Sequence, residues 1–271
     1  MAGKEHMIVA SDRMVTLNLP STEFEQNLPK TISITDNCVA ATAGSALAFT
    51  PILEQAQSIL GQDKSPPNIQ RIAEVIRQCY INSRNAKLEQ DILAKIGLSM
   101  QSFYQANRTF APEIIANVIQ AMNQYNLDLS IIVAGVDTSG PHIYRIDDPG
   151  RIESFDSIGH CSVGSGELHA ISTFIANDYD PNLDLDHVVA MVYDAKKRAE
   201  KAQGVGEETD LYIICNGGTV KLTDEKVGKL DEIHNKKTAI EKKIVEDLEE
   251  LVKKLDIKSL DGVQSDTKQN K

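Results

Sequence analysis

The sequence predicts an α+β fold, with two antiparallel sheets, helix pairs packed outside them, and one long charged helix at the C-terminal end. Three observations lead there. Strand and helix patterns occur in separate blocks, in the order strands, helices, strands, helices, strand, and segregated blocks build antiparallel sheets rather than a βαβ repeat. The strand blocks contain turn residues that close hairpins. After Gly218 the chain becomes dense in Lys and Glu and holds no Pro, which marks a different kind of segment.

Residues 7–11 and 31–43 read as strands, and Asp36-Asn37 splits the second into a hairpin. The short stretch before residue 7 is too brief for a partner strand. From Ser45 the pattern is helical through Leu60, where GQDKSPP breaks it. Residues 67–95 and 111–125 are helical, and Ile69, Ile72, Val75, Ile76 and Cys79 share one face. LDLSIIVAGVD is a buried strand, and HIYRIDDPGRIESFD alternates around Asp148-Pro149-Gly150 as a second hairpin. HCSVGSGELHAISTF passes from strand to helix, and DYDPNLDLDHVVAMVYDAKKRAEKA is a loop leading into an amphipathic helix capped by Asp184 or Asp186. TDLYIICNGG returns to strand. Beyond Thr223, Val227, Leu230, Ile233, Ile240, Ile244, Leu248, Leu251 and Leu255 recur mostly at three- and four-residue spacings, forming a narrow apolar stripe on a charged helix. The polar end, 258–271, reads as a disordered tail.

Composition excludes several classes of function. The chain has 271 residues, 41% of them hydrophobic, enough for one large core. A net charge of −11 repels phosphates, so neither nucleic acid nor an anionic membrane is an expected partner. No apolar run approaches the length of a membrane span, and no secretory leader opens the chain. Cys38, Cys79, Cys161 and Cys215 lie far apart without a CxxC pair, and three sit in apolar stretches. They read as reduced, buried thiols of a cytoplasmic protein. The six histidines do not cluster, so neither a metal nor an organic cofactor is implied.

The sharper signal is an ordered set of motifs. SDRMVT, PKTISI, AATAGSALA and CSVGSGELHA follow one another, joined by IIVAGVDTSGPHIYRIDDPGRIESF and YDPNLDLDHVVAMVYDAKKRAEKA. Singly these are ordinary: a strand-end charge pair, a strand start after Pro29, a turn glycine, a strand-to-helix connection. In this order, over about residues 1–218, they resemble the β-type subunits of the proteasome family, N-terminal nucleophile hydrolases. The resemblance implies a four-layer αββα sandwich over 1–222, enlarged by extra helix at about 62–126, with the amphipathic helix 223–257 appended.

It also implies a chemistry. In such enzymes the hydroxyl of an N-terminal threonine attacks a peptide carbonyl and its own α-amine is the general base. By the resemblance Lys30 is the cation that eases loss of the hydroxyl proton, Asp12 is its carboxylate, and Ser165 orients the amine. Gly44 supplies the oxyanion-hole N–H, and Thr16 and Thr42 bind the substrate peptide. Two departures stand out. The family's threonine belongs on a strand about five residues upstream of Met1, and no Thr, Ser or Cys precedes Ser11. Ala202 and Val205 stand where the family has an Asp and a Ser that support the amine.

The implied function is therefore a proteasome-like threonine peptidase subunit of a homo-oligomeric ring or smaller assembly, acting on polypeptides or peptides. The chain as written lacks the nucleophile. Two alternatives are a non-catalytic structural or binding subunit of the same fold, and a different N-terminal nucleophile amidase.

Overall fold

The computed structural model describes residues 1–18, 21–25, 29–106 and 109–254. The chain divides into two compact units, Met1–Leu222 and Thr223–Lys271.

Every strand pairing described in the first unit is antiparallel. One sheet has the order β1-β9-β10, from His6–Ser11, Asp210–Cys215 and Gly218–Lys221. A five-stranded meander runs β4-β5-β6-β7-β8: Thr31–Thr35, Cys38–Gly44, Leu129–Asp137, Gly140–Asp147 and Arg151–Ser154. A separate hairpin pairs β2 (Met14–Asn18) with β3 (Ser21–Glu25). The tight turns fall at Asp36-Asn37 and around Asp148–Gly150, where the polar turn residues stand in the sequence.

Two cores hold this unit together. One packs α1 (Phe49–Leu60) and α2 (Ile69–Leu88) on the meander through Ile52, Leu53, Ile72, Ile76, Ile131 and Val133. The other joins β1 and β9 to the opposite side chains of the meander, through Met7, Val9, Val39, Val136, Tyr212 and Ile214. Val39 and Ala40 therefore enter different cores, as the period of two along a strand requires. Across from that core, α6 (Leu185–Ala199) packs on β1 and against α5 (Glu167–Ala176).

Several details differ from the sequence expectations. The helix over 67–95 does not stay regular. After α2 it widens into a π turn at Glu89–Leu93, tightens into a 3-10 turn at Ala94–Ile96 and stops at Gly97, which has φ +73°. The junction beyond contains a short helix, α3 (Met100–Ala106), before α4 (Pro112–Gln124). Asp184 occupies the N-cap of α6 without making a side-chain cap bond. Of the four cysteines, Cys38 and Cys79 are buried, Cys161 is half-buried and Cys215 is exposed, all four as free thiols. The first residues do find partners: Met1–Gly3 folds back on β1 through an Ala2–Met7 bridge, because a short backbone segment needs only a tight turn, not a full strand, to satisfy its groups.

The second unit contains α7, Asp224–Lys254. The expected tail 258–271 lies outside the described residues, as does Leu255.

Candidate active site

A cavity of about 660 Å³ opens beside β1 in the first unit. Asp12, Lys30, Thr42, Gly44 and Ser165 all line it, although 153 positions separate the first from the last.

The centre of the arrangement is an ion pair. Lys30 Nζ donates to Asp12 Oδ1 at 2.8 Å, with side chains 19% and 17% exposed. The same carboxylate oxygen accepts from the Met14 N–H at 2.7 Å and the Gly206 N–H at 3.4 Å. Three donors on one oxygen fix the carboxylate, and the carboxylate in turn fixes the ammonium. Asp12 sits immediately after β1, and Lys30 immediately before β4, so the pair links two sheets.

Thr42 on β5 holds Lys30 from the other side. Its N–H and its hydroxyl both donate to the Lys30 carbonyl, at 2.9 and 3.1 Å. Thr42 is 5% exposed, so it anchors the lysine's backbone as well as lining the cavity. Gly44 ends β5 with φ +103°, and a Cβ there would run into the Asp128 carbonyl oxygen. Only glycine meets both conditions without displacing β6. Ser165 lies exposed on the cavity wall between Gly164 and the buried Gly166. Thr16 is on β2, paired with Glu23, and its side chain lies outside the described residues. Val205 lines the cavity with Gly204, whereas Ala202 does not.

The cavity contains groups that the sequence reading missed. One is the Met1 α-amine, which donates to the Ile8 carbonyl at 2.7 Å. Burial lowers its pKa from 8.0 to about 5, with Cys161 opposing the shift. Ala2 and Tyr179 secure the segment: the Ala2 N–H donates to the Gly159 carbonyl at 2.7 Å, and the Tyr179 hydroxyl to the Ala2 carbonyl at 2.9 Å.

Another is Lys196, 7% exposed on α6. Its ammonium donates to Glu200 and to the carbonyls of Gly206 and Glu207, at 2.5, 3.0 and 2.7 Å. Burial lowers its pKa, and the Glu200 hydrogen bond and charge oppose that. It clamps the 200–207 loop, so that the Gly206 N–H reaches Asp12. A signal for it existed: position 196 falls on the helix face of Val188, Val192, Ala195 and Ala199. A lysine on an inward face asks for partners. Nearby, Arg13 grips the fully buried Asp210 carboxylate at 2.7 Å and Lys221 adds a second ion pair. Burial pushes the Asp210 pKa up, but the Arg13 and Lys221 bonds and charges outweigh it and hold the carboxyl below its usual range.

The chemistry available is that of a fixed cation beside a partly enclosed space of mixed polar and apolar lining, which Gly44 and the hydroxyl-bearing Ser165 also border. Among the described residues no group of three or more His, Cys, Asp or Glu could hold a metal ion, and no helix is long and apolar enough to cross a membrane.

Comparison with known proteins adds an independent line. Residues 90–214 match the family model for proteasome subunits. Proteasome subunit beta 1 of Korarchaeum cryptofilum is 24% identical over 228 residues, covering 84% of this chain and 91% of that protein. Proteasome subunit beta 2 of Thermofilum pendens is 24% identical over 163 residues, 56% of this chain and 76% of that one. The alpha subunit of Picrophilus torridus is 28% identical over 120 residues, 42% and 50% of the two chains.

Proposed function

We propose that this chain, similar to proteasome subunits over residues 90–214, is a peptidase subunit of that family whose Asp12–Lys30 cavity serves an N-terminal threonine carried on a strand ahead of Met1. The observation that carries this reading is the 2.8 Å Lys30–Asp12 pair on the wall of a cavity also bordered by Gly44 and Ser165. A hydroxyl nucleophile beside that ammonium loses its proton more readily. In this reading Ser165 orients the threonine amine and Gly44 receives the oxyanion. Thr16 and Thr42 contact the substrate chain, a polypeptide or peptide. The two cores, the helices on the meander and α6 on β1 support a four-layer αββα arrangement. The expected setting is a cytoplasmic homo-oligomeric ring or smaller assembly.

Space for the missing strand is the second support. On β1, Met1 occupies the N–H and C=O of Ile8 on the edge away from β9. Ala10, two residues on, faces the same edge and lines the cavity. A strand continuing upstream of Met1 would run along Ala10 toward Asp12 and Lys30.

The second reading is a non-catalytic subunit of the same fold. It is favoured by the 202–205 loop, where Ala202 and Val205 stand in place of the Asp and Ser that would support the amine. A different N-terminal nucleophile amidase is the third, separated by substrate.

Two purified forms test this: the chain starting at Met1, and one extended by a threonine-headed strand of about five residues with its N-terminus confirmed by sequencing. The extended form should hydrolyse fluorogenic peptides and take up an electrophilic N-terminal-threonine probe. Lys30→Ala should lower its rate about 100-fold or more. Because Ala202 and Val205 replace the usual Asp and Ser, the rate should be low rather than zero. An inert extended form, folded as shown by circular dichroism, would give the non-catalytic reading the decision. Activity confined to small amides would support the amidase.

A further inference from the structure

We propose that α7 is a self-docking surface, pairing antiparallel with α7 of a second copy of this chain about a centre close to Ile244. The helix has 31 residues and a length of about 46 Å. Ile233, Ile240, Ile244, Leu248 and Leu251 lie along one side, each between 52% and 62% exposed. A stripe this narrow gives a lone helix little stability in water, and its apolar area calls for a partner helix of similar shape.

The charge sequence selects the partner and its direction. From 236 to 243 the helix is basic, with Lys236, Lys237, Lys242 and Lys243 against Glu241 alone. From 246 to 250 it is acidic, with Glu246, Asp247, Glu249 and Glu250 and no cation. These blocks flank Ile244 on either side. A second copy turned end for end about Ile244 brings each basic block against an acidic block, twice by symmetry. It also sets Ile240 opposite Leu248 and Ile244 opposite itself. A parallel copy in register would place like charges side by side, which opposes pairing. The antiparallel arrangement is isologous and closes at two chains. An unrelated partner would have to reproduce this charge order in reverse, which a second copy supplies without further requirement.

The test uses the full chain in a Cys215→Ser background, with a spin label on Asn235→Cys and the unsubstituted background signal subtracted. Asn235 lies on the side of the helix away from the stripe. Antiparallel pairing about Ile244 offsets the two labels by about 27 Å along the axis, and parallel pairing offsets them by none. With side chains on outer faces and axes about 10 Å apart, the expected distance exceeds about 30 Å, against about 20 Å for a parallel pair. Lys242→Glu with Lys243→Glu should weaken self-association roughly tenfold at low salt, since four contacts reverse sign in the pair. Adding Glu246→Lys and Asp247→Lys should restore it. A distance near 20 Å, the absence of any dipolar coupling between labels, or a failure of the compensating reversal would overturn the proposal. Helicity by circular dichroism, unchanged in each variant, separates loss of pairing from loss of the helix.

Discussion

At the residue scale the Met1 amine has the clearest measurable consequence. Its pKa is about 5 in the fold and 8.0 when released, because burial disfavours the charged form. Between these values the unfolded chain binds more protons than the folded one, so stability rises with pH across that window. The penalty for the buried charge is fully present below the folded value and vanishes above the unfolded one. A shift of this size corresponds to about 4 kcal/mol from this group. Denaturant titrations at pH 5 and pH 8 of the chain starting at Met1 should show that rise. A chain whose Met1 nitrogen is acylated should lack this component, since an amide nitrogen does not titrate and the acyl group has the cavity to enter. Equal slopes in the two forms would mean that the amine is not buried in solution. Single residues also show why the site was only partly legible in the sequence. Asp12, Lys30, Gly44 and Ser165 stand in motifs whose order resembles a known family, and the structure brings them to one cavity. Lys196 and the Met1 amine carry no motif: one is hidden in a Lys-Lys-Arg run, and the other depends on a fold-back of three residues.

At the element scale, periodicity served where one face of an element meets a core. The meander strands and α2 were legible for that reason, with Ile69, Ile72, Val75, Ile76 and Cys79 all buried. The π turn at Glu89–Leu93 was not, because its sequence, EQDIL, suits an α-helix equally well and only packing decides the hydrogen-bond step. Placing α2 on the meander depends on more than apolar contact. The fully buried Tyr80 hydroxyl donates to the Leu129 carbonyl at 2.9 Å, at the start of β6, 49 residues away. Two residues of β6 later, Ile131 enters the same core as Tyr80. Tyr80→Phe removes the donor and keeps the ring, so it should cost about 1–3 kcal/mol by leaving a buried carbonyl without this partner. Tyr80→Leu should cost more, because it also opens space in the core. A urea titration in which Tyr80→Phe is neutral would show that water reaches the carbonyl.

At the scale of the whole molecule, the described residues of the two hydrophobic cores lie between Ala2 and Ile214. The last strand, β10, ends at Lys221, one residue before the division between units. Antiparallel meanders of this kind are sustained by their own pairing and by the helices on their faces, and 222 residues bury enough surface for an independent domain. Residues 1–222 should therefore fold alone, in one cooperative transition, with a thermal midpoint within about 4 °C of the first transition of the full chain. The same truncation removes α7, so it should also abolish the antiparallel association proposed for that helix. Calorimetry and light scattering on one preparation separate the two effects: the midpoint is retained while the α7-dependent component of the assembly mass is lost. A truncated chain that melts broadly, or exposes hydrophobic surface to a dye, would mean that α7 contributes to the core after all. Retained midpoint and retained mass together would place assembly in the first unit and leave α7 without a part in it.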